Sequence, residues 1–274
     1  MPIFKKIRQA AKEVAAWLAS LAILIPFLIV VFNSLKTKGE AVTMSLTPPT
    51  ELHWENFKKV WELGDIPQAY MNSFLASSGA VIASVVFASV CGYTLSRRRD
   101  KINNALYVYF SLGLMFPVNM VTVVKVIRTL GLYNNRFGVI LLFVSLLMPM
   151  SVFLYYGFIS GVPRELDEAA VVDGAGALRV FFQIIFPAIK PVTVTVVMLN
   201  FLGCWNDFTI PLYLLPDPDK EVIVQKAYHF YGTFVADWNL VSVSILYAIA
   251  PVVVVFLCAQ KYVISGMAAG AVKG

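Results

Sequence analysis

Long stretches without a charged residue alternate with short polar ones along the whole chain. Uncharged runs cover Val14 to Leu35, Ile66 to Ser96, Ile102 to Val124, Phe137 to Pro163 and Leu240 to Gln260. Each exceeds the roughly 18 residues that mark a membrane-spanning helix. A further span fits at about 188–208, where Lys190 lies close enough to the end to reach the headgroups. The pattern predicts an all-α polytopic membrane protein with six transmembrane helices, at about 14–35, 72–96, 104–127, 138–160, 188–208 and 240–262, forming one domain over residues 1–274.

Composition agrees: 59% of the residues are hydrophobic and 14% charged, against roughly 25% charged in an average soluble domain. Lys5, Lys6, Arg8 and Lys12 precede the first run, and Arg97, Arg98, Arg99 and Lys101 fill the gap between the second and third. Basic clusters stay in the cytoplasm, so both termini are expected there. Lys36, Lys38, Lys58, Lys59, Lys125, Arg128, Arg136, Lys220 and Lys226 then fall outside, mostly in long connections where the rule is weak. The first run is longer than the apolar core of a usual signal peptide and no clear A-x-A site follows, so it is read as a retained helix. The net charge of +6 is an orientation and headgroup signal and gives no reason to invoke nucleic acid. Cys91, Cys204 and Cys258 lie in or beside spans without metal-ligand spacing and read as small packing residues.

The outer connection at 36–69 contains "HWENFKKVWE", an amphipathic turn or two with Trp54, Phe57 and Trp61 on one side. It reads either as an interfacial anchor or as a contact surface for an extracytoplasmic partner. Pro117 and Pro149 fall within the third and fourth runs, where proline removes a backbone donor and kinks a helix. Such helices either line a pathway or simply pack; Asn119, two residues after the first proline, favours a polar surrounding over lipid.

Between the fourth and fifth spans lies a loop at 163–185 that opens "VPRELDEAA". Pro163 suits the first position of a helix, and Glu165, Asp167 and Glu168 place negative charge in its first turns. The helix should end near Asp173 and Gly174, since glycine accepts a left-handed closing residue. Asp173 also suits the N-cap of a second helix through Leu178, Arg179 and Phe182. Residue types alone fit a solvated loop helix and a partner-docking helix equally.

Glu168-Ala169-Ala170, two residues, Asp173-Gly174-Ala175, five residues, Phe181, two residues, Ile184, two residues, Pro187, three residues and Pro191 resembles the full EAA loop of the membrane subunits of binding-protein-dependent ABC importers. The resemblance implies the type I importer permease fold, with this loop as a coupling helix docking on a separate ATPase subunit. Glu165, Glu168, Ala169, Ala170, Asp173 and Gly174 would make the joint, and Phe181, Ile184, Pro187 and Pro191 would be its scaffold. "CWNDFTIPLYLL" at 204–215 is similar to a pattern of carbohydrate importer permeases, and the tail "QKYVISGMAAGAVKG" resembles that of the maltose-type second permease. In that family the tail reaches along the ATPase pair, which gives Gly266, Gly270 and Gly274 a contact role.

The resemblance thus implies a sugar or oligosaccharide importer subunit of the bacterial inner membrane. It would work by alternating access with a homologous second permease, two ATP-binding subunits and an extracytoplasmic carbohydrate-binding protein. A polyol or glycerol phosphate is the alternative cargo within the family. Asn119, Asn200, Trp205, Asn206 and Asp207 are the pathway candidates, because hydroxyls need hydrogen-bond partners and aromatic faces cover apolar sugar surfaces. The chain has no G-x-x-x-x-G-K-[ST] loop. ATP and Mg are therefore assigned to the partner ATPase, and no cofactor, metal or catalytic residue to this chain. His53 and His229, the two histidines, form no metal motif. Outside the family, a secondary transporter or channel for a small polar solute is the main rival; an ATPase-docking loop would serve no purpose in one.

Overall fold

A computed structural model describes the backbone of residues 2–231 and 237–271 and the side chains of residues 9, 12–231 and 237–258. The described residues form helices joined by turns, without a strand. They fall into two compact units, residues 1–69 with 223–250, and residues 70–222 with 251–274.

The first unit contains α1 (Pro2–Ser34) and the surface helix α2 (Glu55–Leu63). Between Val14 and Leu28, α1 is almost wholly apolar and exposed all round; Trp17 and Ile23 are more than 70% exposed, and burial within the chain begins only at its last turns. A helix of this kind needs lipid or another subunit around it. The loop after it is tied down by polar groups. Asn56 donates to the carbonyls of Ser34 and Lys36, both at 2.9 Å, and its own oxygen accepts from Asn239 at 3.1 Å. Lys36 is buried and its ammonium donates to the Ser45 carbonyl and hydroxyl, each at 3.1 Å. Phe57 and Trp61 of α2 pack on Tyr247, with ring centroids 6.0 and 5.5 Å away, so the aromatic side expected for this segment faces a helix of its own unit. Trp54 remains 62% exposed.

The second unit is organised along α3 (Ile66–Arg97). Ala76, Ala80, Ser84, Ala88 and Gly92 recur every four residues on it, and all five are buried. Small side chains in a four-residue row let a neighbouring backbone come close. A Cβ added at Gly92 would stand 2.7 Å from the Tyr155 Cβ. Tyr155 belongs to α6 (Arg136–Ile159), the third long apolar helix.

The expected third span, 104–127, is interrupted. Helix α4 (Lys101–Gly113) and helix α5 (Met120–Thr129) are separated by Leu114–Asn119, which is not helical. Pro117 has no amide hydrogen to donate, and it drives Phe116 away from helical geometry. Pro149, by contrast, is accommodated inside α6, where it fills the space beside Gly113: a Cβ at Gly113 would lie 2.9 Å from the Pro149 Cγ.

The fifth expected span is bent. The chain first makes α7 (Glu165–Val172), then α8 (Ala177–Ala188), and turns by 78° into α9 (Lys190–Asn206). Helix α8 contains a π-turn over Val180–Ile185. A short α10 (Thr209–Leu214) packs on α5 and α6, and α11 (Trp238–Ala271) closes the chain. Four described helices are long and apolar enough to cross a membrane, or five if α8 and α9 form one span. The sequence predicts six; the shortfall lies at the Pro117 break.

Candidate functional site

Helix α7 ends as glycine chemistry dictates. Gly174 has φ +79°, its N–H reaches the Val171 carbonyl at 3.0 Å, and the Ala175 N–H reaches back to Ala170 at 2.9 Å. These two bonds form a Schellman closure and satisfy carbonyls that the helix end would leave orphaned. The helix starts at Glu165, two residues later than Pro163 suggests. The N-cap of the next helix is Gly176 rather than Asp173, whose side chain makes no cap there.

One face of α7 is fixed. Ala170 is buried in a cluster with Ala88, Ile159, Phe181 and Ile185, against which Ala175 and Ile184 also pack. Asp167 is held from α3 at two points: the Tyr93 hydroxyl donates to Oδ1 at 2.7 Å, and Arg97 Nη2 stands 2.8 Å from Oδ2. Arg97 Nη1 donates to the Val162 carbonyl at 3.2 Å, and Arg164 donates to the Ser96 carbonyl at 3.4 Å. Little solvent reaches the pair, with side-chain exposures of 12% for Arg97 and 16% for Asp167. Sequence reasoning missed this tether. Asp167 already had a reading as helix-terminal charge and Arg97 as an orientation signal, and 70 residues separate them.

The opposite face is bare. Glu165, Glu168, Ala169, Asp173 and Gly174 are exposed, together with Val171 (62%), Val172 (86%), Leu178 (76%) and Phe182 (53%). Of the scaffold residues, Phe181 is buried and Ile184 half-buried, Pro187 lies in the last turn of α8 and Pro191 in the first turn of α9.

The polar residues expected in a pathway occupy three separate places. Asn200 is buried, and its amide donates to the hydroxyls of Ser84 and Ser151, both at 2.9 Å, which links α3, α6 and α9. Asn119 is exposed and caps α5, accepting from the Thr122 N–H at 3.1 Å. The remaining three lie together at the end of α9. Trp205 is buried against Tyr70 and Phe201, Asn206 is exposed, and Asp207 accepts from the Ile210 N–H at 2.7 Å. Gly266 and Gly270 lie in the helical backbone of α11, and Gly274 is outside the described residues.

At the far end of α3, Asn72 is buried and donates to the carbonyls of Asp219 and Glu221, both at 2.9 Å. Arg136 Nε donates to the Asn72 oxygen at 3.1 Å, so this end of α3 is also tied to α6.

Residues 80–268 match the family described as binding-protein-dependent transport system inner membrane component. The melibiose/raffinose/stachyose import permease protein MelC of Bacillus subtilis is 34% identical over 91% of this chain and 91% of its own length. The multiple sugar-binding transport system permease protein MsmG of Streptococcus mutans is 32% identical over 98% of this chain and 99% of its own. Among solved structures, a chain of a bacterial ABC transporter involved in the import of the acidic polysaccharide alginate superimposes with a TM-score of 0.82, at 23% identity, over 94% of this chain and 96% of that one. The matched region contains α7, its tether and the bent segment that follows, and the chain belongs to the family of binding-protein-dependent transport system inner membrane components.

Proposed function

We propose that this chain is one of two permease subunits of an ATP-driven importer of an oligosaccharide, and that α7 is the joint on which a separate ATPase subunit acts. The observation that carries the reading is the two-sided character of α7. One side is locked to α3 by Asp167, while the other exposes Val171 and Val172 together with Glu165 and Glu168, and Leu178 is exposed at the start of α8. A helix of eight residues is marginal alone in water. Exposed apolar groups beside carboxylates fit a partner groove better than solvent.

In this reading both termini and α7 face the cytoplasm, and a binding protein delivers the sugar from the other side. The melibiose, raffinose and stachyose named for MelC support an oligosaccharide cargo, and the name of MsmG a sugar cargo. Asn206 and Asp207, exposed and half-exposed next to Trp205 in the chain, are available to sugar hydroxyls, as is the exposed Asn119 at its separate position. Asn200 acts by holding three helices at the level where they rearrange. Gly266, Gly270 and Gly274 allow the tail to lie close against the ATPase pair, which binds ATP and Mg.

The test is co-expression with the ATPase, second permease and binding protein, followed by ATPase assays on the purified complex. Hydrolysis stimulated by oligosaccharide-loaded binding protein, and lost when Val172 and Leu178 are both changed to Asp, is expected. Oligosaccharide uptake driven by an ion gradient without any ATPase would instead establish a secondary transporter.

A further inference from the structure

Where α3 and α6 both end, a cavity of about 650 Å³ opens between them, α4 and the start of α7. That volume is in the range of ordinary ligand sites, roughly 300–1,000 Å³. Arg98, Arg99 and Arg164 are among its lining residues, and so are Tyr107 and Tyr156, whose rings lie 5.0 Å apart.

The charges do not cancel. Arg97 also borders the cavity but is paired with Asp167. Asp100, beside it, is occupied in capping α4, accepting from the Asn103 N–H at 2.9 Å and from the Asn103 amide at 2.7 Å. Glu165 is the single acid in the lining, against three arginines that have no carboxylate partner among the described residues. Arg98 and Arg99 make no side-chain hydrogen bond among those residues either, and neither do the Tyr107 and Tyr156 phenols.

We propose that this cavity binds a phosphate group, carried by the headgroup of an anionic phospholipid. Guanidinium groups match phosphate geometry by paired N–H donation, and basic pockets between spans hold anionic headgroups. The position favours a lipid over a soluble ligand: the cavity lies at the ends of two apolar helices, where headgroups are present on either side of the membrane. The aromatic wall next to the cations suits the glycerol and upper acyl portion. The assignment needs α3 and α6 to span the bilayer, and it holds whatever the cargo. A headgroup there would stand beside Arg164 and Arg97, the two arginines that fix α7, so lipid composition would set how firmly that helix is held.

The experiment uses the purified full chain in nanodiscs of phosphatidylcholine, with and without phosphatidylglycerol, and reads thermal unfolding. Wild-type protein is expected to melt several degrees higher with phosphatidylglycerol, by preferential binding to the folded state. The R98Q/R99Q variant should melt like wild type in phosphatidylcholine and lose that shift. K58Q/K59Q, with the same charge removed elsewhere, should keep it. Equal responses of wild type and R98Q/R99Q, or equal loss in K58Q/K59Q, would overturn the site. A parallel arm adds inorganic phosphate to phosphatidylcholine discs: no shift is expected, and an arginine-dependent shift would assign the phosphate to a free ion and overturn the lipid source. An arginine-dependent shift seen only when the ATPase subunit is added would mean that the cavity takes an acidic protein segment, which also overturns the proposal.

Discussion

Arg97 closes the last turn of α3 with its guanidinium 2.8 Å from the Asp167 carboxylate, and so joins a membrane-spanning helix to the exposed helix α7. Desolvation makes such a pair costly to break from one side only, because the surviving charge stays without a partner.

Asp167→Asn should therefore destabilise the chain by up to about 3 kcal/mol, the low end of the range for a broken buried pair because some solvent reaches this one. Tyr93→Phe, which removes one hydrogen bond to the same carboxylate, should cost about 1 kcal/mol. Thermal melts of the purified single variants and of the Arg97→Gln/Asp167→Asn double variant give the coupling energy directly. Additive losses would show that the two side chains do not act as a pair.

Gly174 separates backbone strain from steric fit. Its φ is +79° and nothing lies within 4 Å of the position a Cβ would take, so only the left-handed conformation opposes a side chain. Gly174→Val should cost about 1–3 kcal/mol and uncouple ATP hydrolysis from transport. Gly174→Asn should retain most activity, since Asn tolerates that region. Similar losses for both would point to a contact with the partner surface instead.

Gly92 is the opposite case. A methyl there meets the Tyr155 Cβ and the Tyr156 backbone, neither of which can move far. Gly92→Ala should destabilise by about 1–3 kcal/mol through overpacking, whereas Gly176→Ala, with open space around it, should melt as wild type does. Differential scanning fluorimetry of both variants checks the contrast.

Asp217 supplies a pH test. The Lys220 side chain hydrogen-bonded to it, and then the Asp219 N–H, hold its carboxyl below the usual range. A depressed folded pKa means that the turn is stabilised above the ordinary carboxylate range and loses that contribution as pH falls through the folded value. Proteolysis of the 216–222 loop should rise on acidification in wild type and be high and less pH-dependent in Asp217→Asn.

Much of the helical layout was legible because it follows from local chemistry. Charge-free runs located α1, α3, α6 and α11, and Gly174 marked the end of α7 by its own conformational freedom. Pro117 stands out in the sequence too, but whether a proline kinks a helix or ends it depends on what packs beside it; Pro149 has Gly113 against it and stays helical. The Asp167 tether, the Asn200 contacts and the Asn72 clamp each join residues more than 45 positions apart. No periodicity along the chain encodes such pairings. The four-residue row of small side chains on α3 was readable in principle, since it is a spacing within one helix.

Of the four long apolar helices, α1, α6 and α11 carry a proline in their interior, Pro26, Pro149 and Pro251, whereas α3 has one only in its first turn, Pro67. Between Asn72 and Arg97 it is an unbroken rod of about 37 Å at 1.5 Å per residue. One end grips the carbonyls of Asp219 and Glu221, and the other grips Asp167. Because α3 is also tied to α6 at its Asn72 end and to α6 and α9 through Ser84, a displacement of α7 passed along it would carry those helices together with the 217–221 loop.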